Sequence, residues 1–164
     1  MANIVLSNSG IGTLQTCPWM YKLKYELDLE QMEKPIYYRV GSAFHKGVEV
    51  FRETSSIAKA IKASADVDNR ALVAAMLHQW HKESKNFYQE YEVVEVEMCL
   101  EVPLAKHDGG DIFLGGVIDA LIKDEQGRLF ICENKTTSDT MERFTSRLWA
   151  QRQGLLYNWA LRQL

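Results

Sequence analysis

Few cysteines, no surplus of basic charge and no long apolar run characterise this sequence of 164 residues. Its three cysteines, Cys17, Cys99 and Cys132, are odd in number, widely spaced and never part of a CxxC pair. They suit a reducing interior and argue against a disulfide framework. Nineteen Lys and Arg face twenty-two Asp and Glu, a formal charge of -3, which excludes the strongly basic balance of a protein that coats DNA and leaves room for a local basic patch. No apolar run approaches the length of a membrane span, and the opening residues MANIVLSNSG carry no basic leader-like region. A soluble cytoplasmic protein with no membrane partner is expected.

What is present is core material: 46% hydrophobic and 10% aromatic residues. This length most simply makes one domain, residues 1–164, large enough to bury a core without staples. Residues 7–27, SNSGIGTLQTCPWMYKLKYEL, read as two short helices meeting near Cys17, with Ser9 as N-cap of the first and Pro18 in the first turn of the second. Without a companion cysteine nearby, Cys17 reads as a packed thiol. Residues 28–35 are polar and read as a loop. Gly41 and Ser42 then open a helix in which Ala43, Phe44, Gly47, Val48 and Phe51 recur at helical spacing, and His45 falls in its first turn. A lone histidine is more often a surface or satisfied core residue than a ligand, although Gly47 would let this helix approach another element closely. Ile57 and Ile61 mark a short helix, and Leu72, Val73, Met76, Leu77 and Trp80 a longer one, separated near residues 66–69. His78 and His81 read as a solvated edge.

From Tyr91 the pattern changes to strict alternation. Val94, Val96, Met98, Leu100, Val102 and Leu104 fall on one face of a long strand and Glu95, Glu97 and Glu101 on the other. That acidic face is ordinarily solvated, unless it points into a cleft. A turn within residues 105–111 leads to a second strand, and residues 115–135, GGVIDALIKDEQGRLFICENK, read as a hairpin. A three-residue loop of Glu125, Gln126 and a left-handed Gly127 would pair Asp124 with Arg128 and set Asp119 opposite Glu133, with Lys135 on the same side. A two-residue turn at Gln126-Gly127 keeps that parity, whereas a four-residue loop over residues 124–127 reverses it. Apolar residues on both hairpin faces call for helices on both sides of the sheet. A final helix over residues 142–164 presents Phe144, Leu148, Leu155, Trp159 and Leu164 as its apolar side and places Gln153 and Tyr157 together, one turn apart, with Arg143, Arg147 and Arg152 adding local positive charge.

Two carboxylates and an ammonium on one sheet face suit a hard divalent cation that keeps several waters and offsets charge on a phosphodiester. Acids paired with bases on an ordinary sheet would give the same pattern, and from the hairpin alone that plainer reading stands first. The order of motifs along the chain adds to it. Cys17-Pro18, Gly41-x-x-x-His45, Gly116-x-x-Asp119, Glu133-x-Lys135-Thr136 and Gln153-x-x-x-Tyr157 together resemble the RecB-like branch of the PD-(D/E)XK nuclease superfamily, over roughly residues 7–160.

That resemblance implies an α/β (α+β) fold with a restriction-endonuclease-like core, a mixed central sheet containing an antiparallel meander and flanked by helices. It implies Mg2+- or Mn2+-dependent cleavage of DNA, often from ends, in repair, recombination or phage DNA processing within a bacterial or phage-infected cell. His45, Asp119 and Glu133 match the family's metal ligands, joined by the backbone carbonyl of Asn134. Lys135 matches the catalytic lysine, and Gln153 and Tyr157 match a helix motif that supports the site and contacts DNA. Protein partners in a repair or recombination complex, and oligomers, fit the same picture. Glu133 stands where many members of the branch have Asp. No cysteine follows Cys132, so the iron-sulfur centre of related CRISPR-associated exonucleases is not expected. The chain ends near the Gln153 helix, where relatives continue, as a minimal version or a fragment would. The competing reading is a nucleic-acid-binding or assembly module that keeps the fold without turnover.

Overall fold

A computed structural model of the chain describes residues 3–29, 32–65, 68–107, 110–148 and 151–164. Asp66-Val67 of the separation expected near residues 66–69, Asp108-Gly109 of the turn expected within residues 105–111, and Trp149-Ala150 of the expected last helix lie outside the described residues. The secondary structure is mixed: a four-stranded sheet in the order β1-β3-β2, with β4 also paired to β3, and flanking helices. Its strands are β1 (Ile4–Ser7), β2 (Glu92–His107), β3 (Gly110–Lys123) and β4 (Leu129–Cys132). β1 runs parallel to β3, with Ile4 opposite Ile112, and β4 runs antiparallel to it. The parallel strand makes the sheet mixed, and the sequence pattern alone did not mark it. Four residues with a partner far along the chain carry too little periodicity to register as a strand. Among the described residues no helix is long and apolar enough to cross a membrane.

The chain divides into two compact units, with β2 and β3 contributing to both. In the first, residues 1–32, 99–118 and 137–164, β1 leads directly into α1 (Asn8–Thr16). Ser7, not Ser9, caps that helix, its Oγ accepting from the Gly10 N–H at 3.0 Å. Pro18 opens α2 (Pro18–Tyr21), which continues into a π-helical turn over Lys22–Glu26. Cys17, between the helices, is exposed and not packed. The C-terminal segment forms two helices, α7 (Met141–Leu148) and α8 (Arg152–Leu161). α8 buries Tyr157 and Ala160, while Leu155, Trp159 and the following Leu164 are exposed, so its buried side is not the one the apolar residues suggested. Arg152 is no free cation: its guanidinium donates to Asn8 Oδ1 at 3.0 Å, to the Asn8 carbonyl and to Gln15 Oε1, fastening α8 to α1.

The second unit, residues 33–98 and 119–136, is built on α3 (Ile36–Thr54), α4 (Ile57–Ala63), α5 (Arg70–Glu83) and the short α6 (Phe87–Glu90). α3 begins five residues before Gly41, with Pro35 at its N-cap, so His45 lies in its interior and not in its first turn. Phe44, Val48, Val73 and Leu77 form the core between α3 and α5. Gly47 allows that approach, since a Cβ there would lie 2.6 Å from Leu77 Cδ1. The close neighbour at Gly47 is therefore α5. Ala120, Leu121 and Ile122 of β3 are also buried, whereas Leu129 and Phe130 of β4 stay exposed.

The hairpin turn adopts the three-residue form. Gly127 has φ 77°, the Asp124 N–H donates to the Arg128 carbonyl at 3.1 Å, and the register pairs Lys123 with Leu129 and Ala120 with Cys132.

Candidate active site

Extending the β3–β4 register by one residue past Ala120 and Cys132 brings Asp119 opposite Glu133, where strand β4 has just ended. The released chain curls over Asp119: the Asn134 backbone N–H donates to Asp119 Oδ2 at 2.6 Å and its side-chain amide at 3.2 Å. From α3, His45 brings Nδ1 to 3.5 Å from the same oxygen. Lys135 reaches back to Glu133, with Nζ 3.3 Å from Oε2. His45, Asp119, Glu133, Asn134 and Lys135 thus assemble within the second unit.

The two carboxylates are driven apart electrostatically. Burial pushes Asp119 up, but hydrogen bonds from His45 and Asn134 and the electrostatic influence of the imidazole outweigh it and hold the acid below its ordinary range. Burial pushes Glu133 up as well, and the neighbouring Asp119 charge adds to it. Lys135 and the Asp119 backbone N–H only partly oppose that rise.

A cleft of about 560 Å³ opens onto His45 and Asp119 of this group, lined among others by Tyr37, Tyr38, Glu49 and Glu97. Glu97 is the residue the alternation undervalued. It has φ 51°, a left-handed conformation that costs a non-glycine residue on the order of 1 kcal/mol or more and that re-aims a strand. Along β2, Val93 is half-buried and Val94 exposed, whereas Leu100 and Val102 are buried and Leu104 is exposed again, so the unbroken alternation expected from Val94 to Leu104 does not hold. Burial first, then the charges of Asp119 and Glu49, raise the Glu97 carboxyl above its usual range. Glu49 drew no notice in the sequence, although its place one turn beyond His45 on α3 was the available signal.

Gln153 and Tyr157 belong to the first unit. Tyr157 is buried over Gly116 of β3, where a Cβ would lie 2.6 Å from its ring.

Carboxylate and carbonyl oxygens are the donors that Mg2+ and Mn2+ favour, whereas an imidazole is more usual on Zn, Cu, Fe or Ni. His45 and Asp119 stand against each other at 3.5 Å, and Glu133 is engaged by Lys135. Among the described residues, no three such groups are gathered closely enough to complete a metal site. The carboxylates and the Asn134 carbonyl fit a divalent cation in kind, with His45 and Asp119 within 3.5 Å of each other.

With this geometry in place, the comparison with known families gives the class. The family model of the PD-(D/E)XK nuclease superfamily matches residues 5–164, and the chain belongs to that superfamily. A search of curated proteins finds no significant match.

Proposed function

We propose that this chain is a divalent-metal-dependent deoxyribonuclease of the RecB-like branch, a single cytoplasmic nuclease domain that trims DNA ends in repair, recombination or phage DNA processing. One observation carries the reading: in a member of this superfamily, Asp119 and Glu133 stand opposite each other beside His45, with Lys135 two residues on. His45, Asp119, Glu133 and the Asn134 carbonyl would hold Mg2+ or Mn2+. Such a cation supplies Lewis acidity and a more acidic water.

The remaining work falls to the protein. Asn134 fixes the orientation of Asp119 through two hydrogen bonds, so this carboxylate is preorganised and ionised at neutral pH. Lys135, anchored on Glu133, presents N–H donors to an attacking water or to a phosphate oxygen. Gln153 and Tyr157 are assigned a supporting or DNA-contacting role. That role follows from the family resemblance, and within its own unit Tyr157 packs on Gly116.

A second reading, a binding module without turnover, draws support from the incomplete donor set among the described residues. End-labelled single- and double-stranded DNA incubated with the protein in Mg2+, Mn2+ or EDTA separates the two. Cleavage is expected only with metal and falls about 10²-fold or more in Lys135→Ala and Asp119→Ala. DNA binding with no metal-dependent cleavage would establish the binding module instead.

A further inference from the structure

The first turn of α3 carries two adjacent tyrosines that the site described so far does not use. Tyr37 and Tyr38 are 69% and 60% exposed, yet both line the cleft that reaches His45 and Asp119. Their rings already lie against each other, with centroids 5.0 Å apart and planes inclined by 37°. Tyr38, Ser42, His45 and Glu49 recur at spacings of four, three and four, so they form one stripe along the helix, and all four line the cleft. Seven residues separate Tyr38 from His45, about 10 Å along the axis. A stacked strand rising about 3.4 Å per nucleotide covers that distance in about three nucleotides.

We propose that Tyr37 and Tyr38 form a base-stacking platform at the mouth of the cleft, holding an unpaired nucleic-acid strand about three nucleotides from His45 and Asp119. Every base offers a π-face, so such a platform is indifferent to sequence. A duplex already spends those faces on its own stack, so the platform selects single strands and frayed ends. The lining of the cleft points the same way. With Glu49, Glu97 and Asp119 among its walls it offers phosphates little attraction of its own, and Lys46 is held by Glu49 at 2.5 Å. Contact with bases is the attraction this mouth provides. The placement of the strand relative to His45 and Asp119 rests on the nuclease reading, whereas stacking itself does not.

The test measures binding of three labelled probes by fluorescence anisotropy, with calcium and again with EDTA: a dT12 strand, an abasic strand of the same length, and a blunt duplex. The wild-type protein is expected to bind dT12 about tenfold or more tighter than the abasic strand or the duplex. Tyr37→Ala/Tyr38→Ala should remove that preference and leave abasic binding unchanged. Tyr37→Phe/Tyr38→Phe should retain it, because the ring and not the hydroxyl stacks. Equal affinity for dT12 and abasic strands, or a double-alanine protein that keeps the preference, overturns the platform while leaving metal-dependent cleavage to stand. The expected preference in a protein that cleaves nothing with any divalent ion confirms the platform and removes the nuclease reading. Both tyrosines are exposed, so the fold is not expected to depend on them, and circular dichroism melts check this.

Discussion

Asp119 and Glu133 have the same functional group and opposite environments, and the difference has consequences for stability as well as chemistry. A carboxyl whose folded pKa lies above its unfolded value holds its proton better in the native state. Its contribution to stability is therefore largest in acid and is lost as pH rises from the ordinary value near 4.3 through the raised folded one. Glu133 is such a group, pushed up by burial and by Asp119. At neutral pH its charge opposes folding. Glu133→Gln is expected to raise the thermal midpoint at pH 7 by about 1–4 °C while lowering cleavage about 10²-fold or more. The gain should vanish near pH 4. A lowered midpoint at pH 7, measured by calorimetry beside the cleavage assay, would contradict this account of the site. The facing of these two acids was legible in the sequence because it follows from parity along two strands and one turn. The approach of His45 to Asp119 came only through the family resemblance, since no local spacing reports which helix crosses which strand. Glu97 was placed on the acidic face by the alternation, but that it lines the cleft was not legible, because a periodic pattern does not report its left-handed backbone or what the face meets.

At the scale of elements, the β3–β4 turn shows how local chemistry sets a register. Asp124 Oδ1 accepts the N–H groups of Gln126 at 3.0 Å and Arg128 at 2.8 Å, and Oδ2 accepts Arg128 Nε at 2.6 Å. Burial alone would raise this carboxyl, but the Arg128 backbone N–H, the guanidinium and the Gln126 N–H outweigh it and place it below the ordinary range. A depressed folded pKa stabilises above the unfolded value, about 3.9, and that contribution is lost as pH falls through the folded one. Asp124→Ala is therefore expected to lower the thermal midpoint by several degrees at pH 7 and to change it little near pH 2. Because this turn sets the pairing of Asp119 with Glu133, the variant should also lose cleavage at a temperature where it remains folded. An unchanged midpoint at pH 7 would show that the turn's hydrogen bonds only replace those of water. This hairpin could be read from sequence because turn residues act within five positions. The start of α3 was misread because Gly41 and Ser42 imitate a cap while Pro35 provides the actual one. The last helix was misread because burial there follows Tyr157 and Ala160, a choice made by neighbouring elements and not by hydropathy.

For the whole molecule the governing quantity is charge. The chain carries nineteen basic and twenty-two acidic side chains. Several of the cations are engaged: Arg39 with Asp68, Lys46 with Glu49, Lys123 with Glu92 and Arg128 with Asp124, each within 3.0 Å. Arg152 is committed to Asn8 and Gln15. These five account for part of the nineteen, and the excess of three acidic charges works against a strongly electrostatic grip on a nucleic-acid backbone. Each phosphate neutralised on a single strand contributes a slope of about -0.7 to the dependence of log affinity on log salt. Two or three such contacts would give a slope of about -2 or shallower, against the much steeper dependence of proteins that grip DNA mainly through phosphates. Titrating dT12 between about 50 and 200 mM salt at fixed calcium tests this through its effect on counterion release. A slope near -5 would reveal a basic surface that these ion pairs do not account for. A shallow slope would mean that bound cation and ring stacking, not surface lysine and arginine, hold the strand, and that substituting single surface lysines should change affinity little at any salt concentration.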